Sequence, residues 1–532
     1  MPGWTFAQIW EAAADALPDA PFSRQGDRTV LWRDADRRAD GLAAMLLARG
    51  ARRQDKVVQY LYNRPEYLET VFACFKAALV PVNTNYRYTE DELVYLWDNA
   101  DAIAVVFHGS FRDRIEAIRD RVPGVRTWIW VDDGSGPCPD WALAYEEAAA
   151  TPTARVIPEY GRDGDDLYML YTGGTTGSPK GVMWRQDDLA VVLTGLGLGL
   201  PEEVDEQVLS TKFAEPGPVA LPACPLMHGT GAFSSFGALS SGGCVVCLPS
   251  RHFEAAELLD AVDQHGVSTV AIVGDAFAKP ILAALDAEPD RWDLSSLVGF
   301  ISSGVMWSEE TKQGLLAHRP ELLLIDAFSS SEALGMGQSV SGGGATAHTA
   351  TFSAGPLSIV VGDDGRRIEP GSDEIGRLAV GGRQPIGYYK DDEKSAATFI
   401  EVEGRRYSCP GDYAQIRADG TITILGRGSV CINTGGEKVF PEEVEEAIKT
   451  HPSVRDAVVV GVPHDRFGEM VVAVVESRGD ADVSEDVLIT HVRDRLAAYK
   501  APRRVIPVDS IGRAANGKVD YKKARDEALR GL

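Results

Sequence analysis

Cysteines, basic residues and long apolar runs are the features that this sequence lacks or holds in small number. Its seven cysteines are scattered between Cys74 and Cys431 over 532 residues, which excludes a disulfide-stapled fold. The chain carries 78 acidic against 53 basic residues, a formal net charge of −25 at pH 7. Such a surface repels phosphate backbones, so we expect no nucleic-acid partner. Because no run of about 18 apolar residues occurs, we predict no membrane span.

The cysteines and the N-terminal stretch also bear on the compartment. Cys244 and Cys247 have the spacing of a metal or redox pair, but they lie in a strand-like apolar segment without a second pair nearby. We interpret them as buried thiols that pack like small hydrophobic side chains. The stretch MPGWTFAQIWEAAADALPDA lacks the basic region and the cleavage site of a signal peptide. These observations predict a cytoplasmic protein.

What the sequence does contain is a regular alternation of helical and strand periods. Residues 36–108 alternate amphipathic helices with apolar strands, and Thr89 and Glu92 form a capping-box pattern before one of the helices. The same rhythm returns over residues 244–328. We therefore predict two doubly wound α/β subdomains, with a ligand crevice where their strand ends meet.

The C-terminal third of the chain changes character twice. Residues 352–426 hold short strands and turns, including the hairpin signal Asp419-Gly420, and are predicted to form a small β-barrel-like subdomain. The remaining segment alternates helix and strand again. The predicted fold is thus an α/β protein with a large N-terminal domain (1–426) and a small α+β C-terminal domain (427–532).

Residues 171–181 form the strongest motif. They read YTGGTTGSPKG and follow the apolar run LYMLY. Glycines let a backbone approach a polyphosphate and turn its N–H groups toward it, threonines add hydroxyl donors, and Lys180 adds positive charge. The alternative interpretation is a flexible surface turn. The spacing does not fit a Walker A loop, so an ordinary P-loop kinase or GTPase is disfavoured.

Glu332 follows the strand-like run LLLIDAF and the three serines 329–331. A carboxylate at the end of a strand suits Mg²⁺ held against bound phosphates, and the serine hydroxyls suit a nucleotide. An isolated glutamate in a loop is otherwise simply solvated.

Three further polar residues stand at turns. Asp412 follows a glycine and suits ribose hydroxyls, although Gly-Asp is also a plain turn. Arg427 lies at the predicted domain boundary, where it is either a linker cation or a contact to phosphate or ribose. Lys518 in Asn-Gly-Lys is a surface lysine by sequence physics alone.

Together and in this order, these motifs resemble those of the adenylate-forming superfamily of acyl-CoA synthetases, luciferases and peptide-synthetase adenylation domains. The resemblance covers nearly the whole chain. Residues 171–181 match the family's YTSGTTGxPKG, with Gly173 in place of a serine. Residues 328–332 match its YGxTE, with Ser331 in place of a threonine.

The remaining matches and departures are local. The Gly-Asp, Gly-Arg and terminal Gly-Lys motifs of the family fall on Asp412, Arg427 and Lys518. The glycine-rich stretch near adenine, often GGAP, reads SGVM at residues 303–306. Two residues past the hinge arginine, Ser429 replaces the usual aspartate or lysine.

The resemblance implies a two-step reaction. A carboxylate attacks the α-phosphorus of ATP, pyrophosphate leaves, and coenzyme A then displaces AMP from the acyl-adenylate. It implies that the C-terminal domain is mobile and presents Lys518 for adenylation and the loop around residues 435–438 for thioester formation. It assigns catalytic roles to Lys518, Glu332 and Lys180, and Mg²⁺ ligation to Glu332 and Thr175. The implied contacts to the nucleotide and coenzyme A are Thr172, Gly173, Gly174, Thr175, Thr176, Gly177, Lys180, Ser303, Gly304, Phe328, Ser329, Ser330, Ser331, Asp412, Arg427, Gly435, Gly436 and Glu437.

The segment PLMHGTGAF resembles the family loop that enters the acyl pocket. The implied substrate contacts are His228, Gly229, Ala232, Phe233, Gly274 and Ser303. His228 is interpreted either as a gate or carboxylate contact, or as a structural histidine. The loop lacks the aspartate with which amino-acid-activating relatives pair an ammonium group. Its small apolar residues favour a medium-chain, long-chain or polycyclic acid, and the chain is similar to fatty-acyl and steroid-side-chain CoA ligases.

The leading hypothesis is therefore an ATP-dependent acyl-CoA ligase that uses ATP, Mg²⁺ and coenzyme A. One alternative is an acyl-AMP ligase that loads a carrier protein. Another is a non-catalytic sensor of nucleotide or acyl-adenylate, which retention of Glu332, Arg427 and Lys518 disfavours. A homodimer is left open.

Overall fold

The computed structural model describes residues 3–172, 178–195, 206–305, 307–343, 351–434, 437–464, 468–479, 484–513 and 519–532. Its α-helices are α1 (Phe6–Ala16), α2 (Trp32–Ala48), α3 (Pro65–Lys76), α4 (Glu90–Asn99), α5 (Arg112–Ile118), α6 (Tyr145–Ala149), α7 (Gln186–Gly195), α8 (Glu206–Lys212), α9 (Gly229–Leu239), α10 (Ala255–His265), α11 (Asp275–Ala287), α12 (Glu309–His318), α13 (Asp392–Thr398), α14 (Pro441–Lys449), α15 (Glu485–Arg493) and α16 (Tyr521–Gly531). Its strands are β1 (Pro21–Gln25), β2 (Arg28–Leu31), β3 (Lys56–Tyr60), β4 (Val80–Asn83), β5 (Ala102–His108), β6 (Thr127–Val131), β7 (Leu143–Ala144), β8 (Leu167–Thr172), β9 (Lys180–Arg185), β10 (Val219–Pro222), β11 (Cys244–Val246), β12 (Thr269–Ile272), β13 (Gly299–Ser302), β14 (Leu323–Ser330), β15 (Ala333–Ser341), β16 (Thr351–Ala354), β17 (Ser358–Val361), β18 (Arg367–Ile368), β19 (Gly376–Val380), β20 (Gly387–Tyr388), β21 (Phe399–Val402), β22 (Arg405–Ser408), β23 (Asp412–Ile416), β24 (Thr421–Arg427), β25 (Ile432–Thr434), β26 (Glu437–Val439), β27 (Val454–His464), β28 (Gly468–Ser477) and β29 (Arg504–Val508).

The first sheet has the strand order β20-β9-β8-β4-β3-β5-β6-β7. The strands from β8 to β7 run parallel, and β9 and β20 join them in antiparallel orientation. The apolar strand β5 is buried along nearly its whole length because helices cover both faces of the parallel sheet. Helices α4 and α5 pack on one of these faces.

The second sheet begins with the parallel order β14-β13-β12-β10-β11-β1, with helices α10, α11 and α12 on one face. From β14 toward β15 the pairing becomes antiparallel, and the short strands of the predicted third subdomain continue the same sheet. The α/β fold with two doubly wound units is thus confirmed. The third unit shares its sheet with the second, and its described strands close no barrel.

A shared core joins the two sheets. Trp10 of α1 lies at its centre, with aromatic partners from both sides within 6.5 Å between ring centroids. Beside it, the fully buried ammonium of Lys76 lies 2.8 Å from Glu11, 2.7 Å from Asp36 and 2.9 Å from Asp40. This ion cluster joins α3 to α1 and α2, and removal of one member would leave buried charge unpaired.

The third sheet forms the centre of the small C-terminal domain. Strand order is β26-β25-β28-β27, with β29 beside β28. Helices α14 and α15 pack on one face and α16 on the other. The rings of Tyr413 in β23 and Phe440 before α14 lie 5.4 Å apart and connect this domain to the second sheet. Among the described helices, none combines the length and apolar character needed to cross a bilayer.

Candidate active site

Glu332 lies at the tip of the hairpin between β14 and β15. Its Oε1 accepts a hydrogen bond of 2.7 Å from the hydroxyl of Tyr388, and its backbone carbonyl accepts one of 2.7 Å from Ser408. The indole N–H of Trp184 donates to the carbonyl of Ser331 at 2.9 Å. Trp184 and Tyr388 belong to the first sheet, whereas the hairpin belongs to the second. The carboxylate is therefore fixed where the two sheets meet.

Lys180 opens β9 and pairs in register with Thr172 at the end of β8. The two residues flank the predicted phosphate loop, whose residues 173–177, including Thr175, lie outside the described part of the chain. The ammonium of Lys180 forms an ion pair with Asp391. This hydrogen bond lowers the pKa of the Asp391 carboxyl below its ordinary value.

One short segment thus contacts both charged groups. Tyr388 holds Glu332, and Asp391, three residues later, holds Lys180. Sequence reasoning did not predict either residue. The two-residue strand β20 has no periodicity that would reveal its place beside β9.

Predicted substrate and nucleotide residues lie just after β12 and β13 and within β14. Gly274 follows β12 with a φ of +52°, and its N–H donates to the hydroxyl of Ser302 at 2.9 Å. Ser303 and Gly304 come next after β13, and the φ of +95° at Gly304 is one that glycine adopts without strain. Phe328 lies within the neighbouring strand β14, two residues beyond the Asp326 that pairs with Ser302, so these predicted residues lie at the same end of neighbouring strands in the second sheet.

Asp326 is a buried carboxyl that the sequence analysis missed. It lies opposite Ser302 in the sheet register and 3.3 Å from the buried ammonium of Lys312. Burial raises the pKa of Asp326 to about 6, while Lys312 opposes that rise. Its signal in the sequence was an acidic residue inside the strand pattern LLLIDAF, two positions before Phe328.

Serines 329–331 do not share one environment. The hydroxyl of Ser329 accepts a hydrogen bond from the N–H of Gly335 at 3.1 Å. The buried hydroxyl of Ser330 has no hydrogen-bond partner among the described residues. Ser331 presents its carbonyl to Trp184, as described above. The hydroxyl of Ser329 is thus engaged within the hairpin, and that of Ser330 is enclosed by protein atoms.

On the acyl side, His228 stands at the N-terminus of α9. Gly229 opens that helix, and a Cβ added to Gly231 would lie 2.5 Å from the carbonyl of Pro225, so the loop packs tightly on its own helix. Ala232 and Phe233 are buried, and the ring of Phe233 lies 6.1 Å from that of Tyr168 in β8.

The predicted residues near the domain boundary are only partly visible. Asp412 is buried and pairs in register with Arg427 across β23 and β24. The side chains of Arg427 and Glu437 lie outside the described part of the chain, as do Gly435, Gly436 and Lys518 entirely. The structure therefore places Ser303, Gly304 and Phe328 on or next to neighbouring strands of the second sheet. It connects Glu332 and Lys180 through the segment that holds Tyr388 and Asp391, and Lys518 stays a prediction.

Comparison with known proteins identifies the class. The AMP-binding enzyme family matches residues 10–389, and the C-terminal domain of AMP-binding enzymes matches residues 443–518. The chain therefore belongs to the AMP-binding enzyme family. It is an acyl-CoA synthetase of the adenylate-forming superfamily, with ATP and CoA as substrates, and the motif resemblance is confirmed.

Individual relatives support the same placement. The chain is 42% identical to 3-oxocholest-4-en-26-oate–CoA ligase of Rhodococcus rhodochrous, over 98% of this chain and 95% of that protein. It is 39% identical to the medium/long-chain-fatty-acid–CoA/3-oxocholest-4-en-26-oate–CoA ligase of Mycolicibacterium smegmatis, over 98% and 96%. ATP-bound MatB from Rhodopseudomonas palustris superposes with a TM-score of 0.79 at 26% identity, covering 98% of both chains. An anthranilate CoA ligase with anthranoyl-AMP has the same fold, with a TM-score of 0.84 at 20% identity, covering 100% of this chain and 99% of that one.

Proposed function

We propose that the acid activated by this synthetase is hydrophobic: a medium- or long-chain fatty acid or a steroid side-chain acid. The observation that carries the proposal is the composition of α9, GTGAFSSFGAL, which holds no charged side chain. Its polar hydroxyls bond back to the helix, since Ser234 donates to Thr230 and Ser235 to Gly231. The helix therefore offers apolar surface to a ligand. The substrates named for the two relatives described above are of the same class.

Glu332 is proposed to hold Mg²⁺ together with Thr175. Carboxylate and hydroxyl oxygens are hard donors that suit this ion, and half-buried Glu332 is already oriented by Tyr388. The described residues contain no group of three or more His, Cys, Asp or Glu side chains able to hold a metal. Substrate phosphates can supply further ligands to a Mg²⁺ ion that is bound by few protein oxygens. When bound, Mg²⁺ neutralises phosphate charge.

The protein's own groups are proposed to do the rest by position and charge. Lys180 and the glycine-threonine loop bind the phosphates, and Asp412 accepts from the ribose. Lys518 stabilises the crowded negative charge as the carboxylate oxygen attacks the α-phosphorus. The domain from 427 to 532 then rotates about Arg427, so that residues 435–438 serve attack by the CoA thiol.

A panel of acids tests the proposal directly. With ATP, CoA and Mg²⁺, release of AMP is expected to be fastest for long-chain or steroid side-chain acids and slow for acetate, benzoate and amino acids. Acyl-AMP released without thioester would support the carrier-loading alternative. Absence of ATP–pyrophosphate exchange with every acid would support the sensor.

Location and assembly are also proposals. All seven cysteines are free, which fits a reducing compartment and supports a cytoplasmic location, to be checked by fractionation. A homodimer stays a prediction that light scattering tests.

A further inference from the structure

Asn83 bridges strand β8 of its own sheet and the segment that leads from β10 of the second sheet into α9. It ends β4, and only 3% of its surface is exposed. Its amide N–H groups donate to the carbonyl of Tyr171 at 2.9 Å and to that of Met227 at 2.7 Å. Its Oδ1 accepts a hydrogen bond of 2.6 Å from the N–H of Tyr171. One buried side chain thus holds backbone atoms of β8 and of the segment before α9.

Tyr171 and Met227, the two residues bonded to Asn83, stand just before the two loops that are proposed to bind the substrates. Tyr171 and Thr172 lead into the glycine-threonine loop proposed to bind the phosphates. Met227 precedes His228 and the first turn of α9, which are proposed to receive the acid. The distance between these two loops determines how the carboxylate oxygen meets the α-phosphorus.

Asn63 provides a natural comparison. It follows β3, and its amide donates to the carbonyls of Pro222 at 3.2 Å and Cys224 at 3.0 Å. Its Oδ1 accepts from the N–H of Leu226 at 2.7 Å. Asn63 therefore makes as many bonds to the same acyl-side segment as Asn83 makes in total. None of these three bonds of Asn63 joins it to β8, the strand that precedes the phosphate loop.

We propose that Asn83 is a positioning residue for adenylation, which sets the acyl-pocket loop in register with the phosphate loop. The inference rests on the proposed function of both loops. Attack on phosphorus requires the reacting atoms at about 3–3.5 Å, and a misplacement of about 1 Å costs about 100-fold in rate. Substrate binding depends on each loop separately, so a loss of register reduces the rate more than the affinity.

The two half-reactions should depend on Asn83 to different degrees. Once acyl-adenylate has formed, a covalent bond joins the acyl carbon to the phosphate through oxygen. The relative position of the loops then no longer decides how the two substrates meet. Transfer from preformed acyl-adenylate to CoA should therefore depend much less on Asn83 than adenylation does.

The experiment compares Asn83→Ala, Asn83→Asp and the matched control Asn63→Ala in the full-length protein. For both Asn83 variants, we expect kcat of ATP–pyrophosphate exchange to fall about 100-fold, with KM for ATP and acid changed less than about threefold. Thioester formation from preformed acyl-adenylate should fall less than about fivefold. Asn63→Ala should instead raise KM for the acid and leave kcat largely unchanged. Asn83→Asp keeps the side-chain size but replaces the amide that donates to both carbonyls, and folding of each variant is checked by circular dichroism.

Three results would overturn the inference: a rise in KM alone, an equal loss in both half-reactions, or the same response for Asn63→Ala and Asn83→Asp. Unfolding of both Asn83 variants while Asn63→Ala stays folded, seen by circular dichroism, would also overturn it, because the residue would then be structural. If the wild-type enzyme shows no ATP–pyrophosphate exchange with any of the acids tested, the proposed function fails instead. The two failures are therefore distinguishable.

Discussion

The carboxylate of Glu332 receives its hydroxyl donor from Tyr388, 56 residues further along the chain and in the other sheet. Glu332 stands out in the sequence because it follows a strand-like run, a signal that is carried by its immediate neighbours. Tyr388 could not be found this way, because what places it is the pairing of a two-residue strand with β9. The charged centre of the candidate site was thus readable from sequence, but the groups that orient it were not.

Glu332→Gln removes the charge and keeps the shape. We expect adenylation to fall about 100-fold or more, because an amide is a poor ligand for Mg²⁺ and several kcal/mol of charge stabilisation are lost. ATP–pyrophosphate exchange across a Mg²⁺ titration measures the effect, and the half-saturating Mg²⁺ concentration should rise. The exposed Glu369→Gln is the control and should behave like wild type. An unchanged Mg²⁺ requirement in E332Q would contradict the assignment.

The burial of His108 predicts that the stability of the folded protein falls in acid. His108 is buried at the end of β5, where its Nδ1 accepts from the N–H of Tyr62 at 3.0 Å, and burial lowers its pKa to about 3. The charged groups that also act on it are Arg64, Arg251, Asp133 and Glu66. Between about pH 6.5 and 3 the unfolded chain binds a proton that the folded chain does not, so stability falls as pH falls, by up to about 1.4 kcal/mol per unit.

The variant His108→Asn isolates this contribution. The asparagine oxygen replaces Nδ1 as acceptor, but the side chain does not titrate. We expect the free energy of unfolding of H108N to fall less steeply with falling pH than that of the wild type between pH 6.5 and 4.5. The difference in slope should correspond to the uptake of about one proton on unfolding. Denaturant unfolding at a series of pH values measures both slopes. Equal slopes would mean that His108 is not the group that titrates on unfolding.

At the scale of elements, local patterns predicted well what local forces determine. The capping box of α4 is present, with the N–H of Thr89 donating to Glu92 at 2.7 Å. Asp419-Gly420 does form the turn between β23 and β24, with Gly420 at a φ of +82°. The continuation of the short strands into the second sheet was not predictable, because strand pairing over long sequence separations leaves no local periodicity.

Helix α9 offers a test of the acyl pocket. A Cβ added at Gly237 would meet no atom within 4 Å, so there is open space beside it. If this space accepts the distal part of the acid, Gly237→Leu should lower kcat/KM for a C16 acid about tenfold more than for a C8 acid, since each buried CH₂ is worth about 0.8 kcal/mol. The matched control Gly237→Ala should change kcat/KM little for either acid. Both changes favour the helix, so instability would not explain a loss. Equal effects on both acids would place Gly237 outside the pocket.

At the scale of the whole molecule, a chain with a net charge of −25 must bind the polyanions ATP and CoA. The cations proposed to act in the site therefore matter more than their number suggests, and two of them, Lys180 and Lys518, come from different domains. The sequence motifs identified both lysines. Their relative position is a property of the domain arrangement, which no local motif encodes, and it has to be tested by function.

Lys518→Ala separates the work of the two domains. If this lysine serves only adenylation, its removal should lower ATP–pyrophosphate exchange about 100-fold or more, the cost of losing a preorganised group at a charged transition state. Thioester formation from preformed acyl-adenylate and CoA should survive, because the proposed rotation presents residues 435–438 instead of Lys518 for that step. Lys522→Ala, which changes an exposed lysine of α16, is the control and should leave both half-reactions intact. A parallel loss of both half-reactions in K518A would mean that one arrangement of the domains performs the whole reaction, and that rotation about residue 427 is not needed.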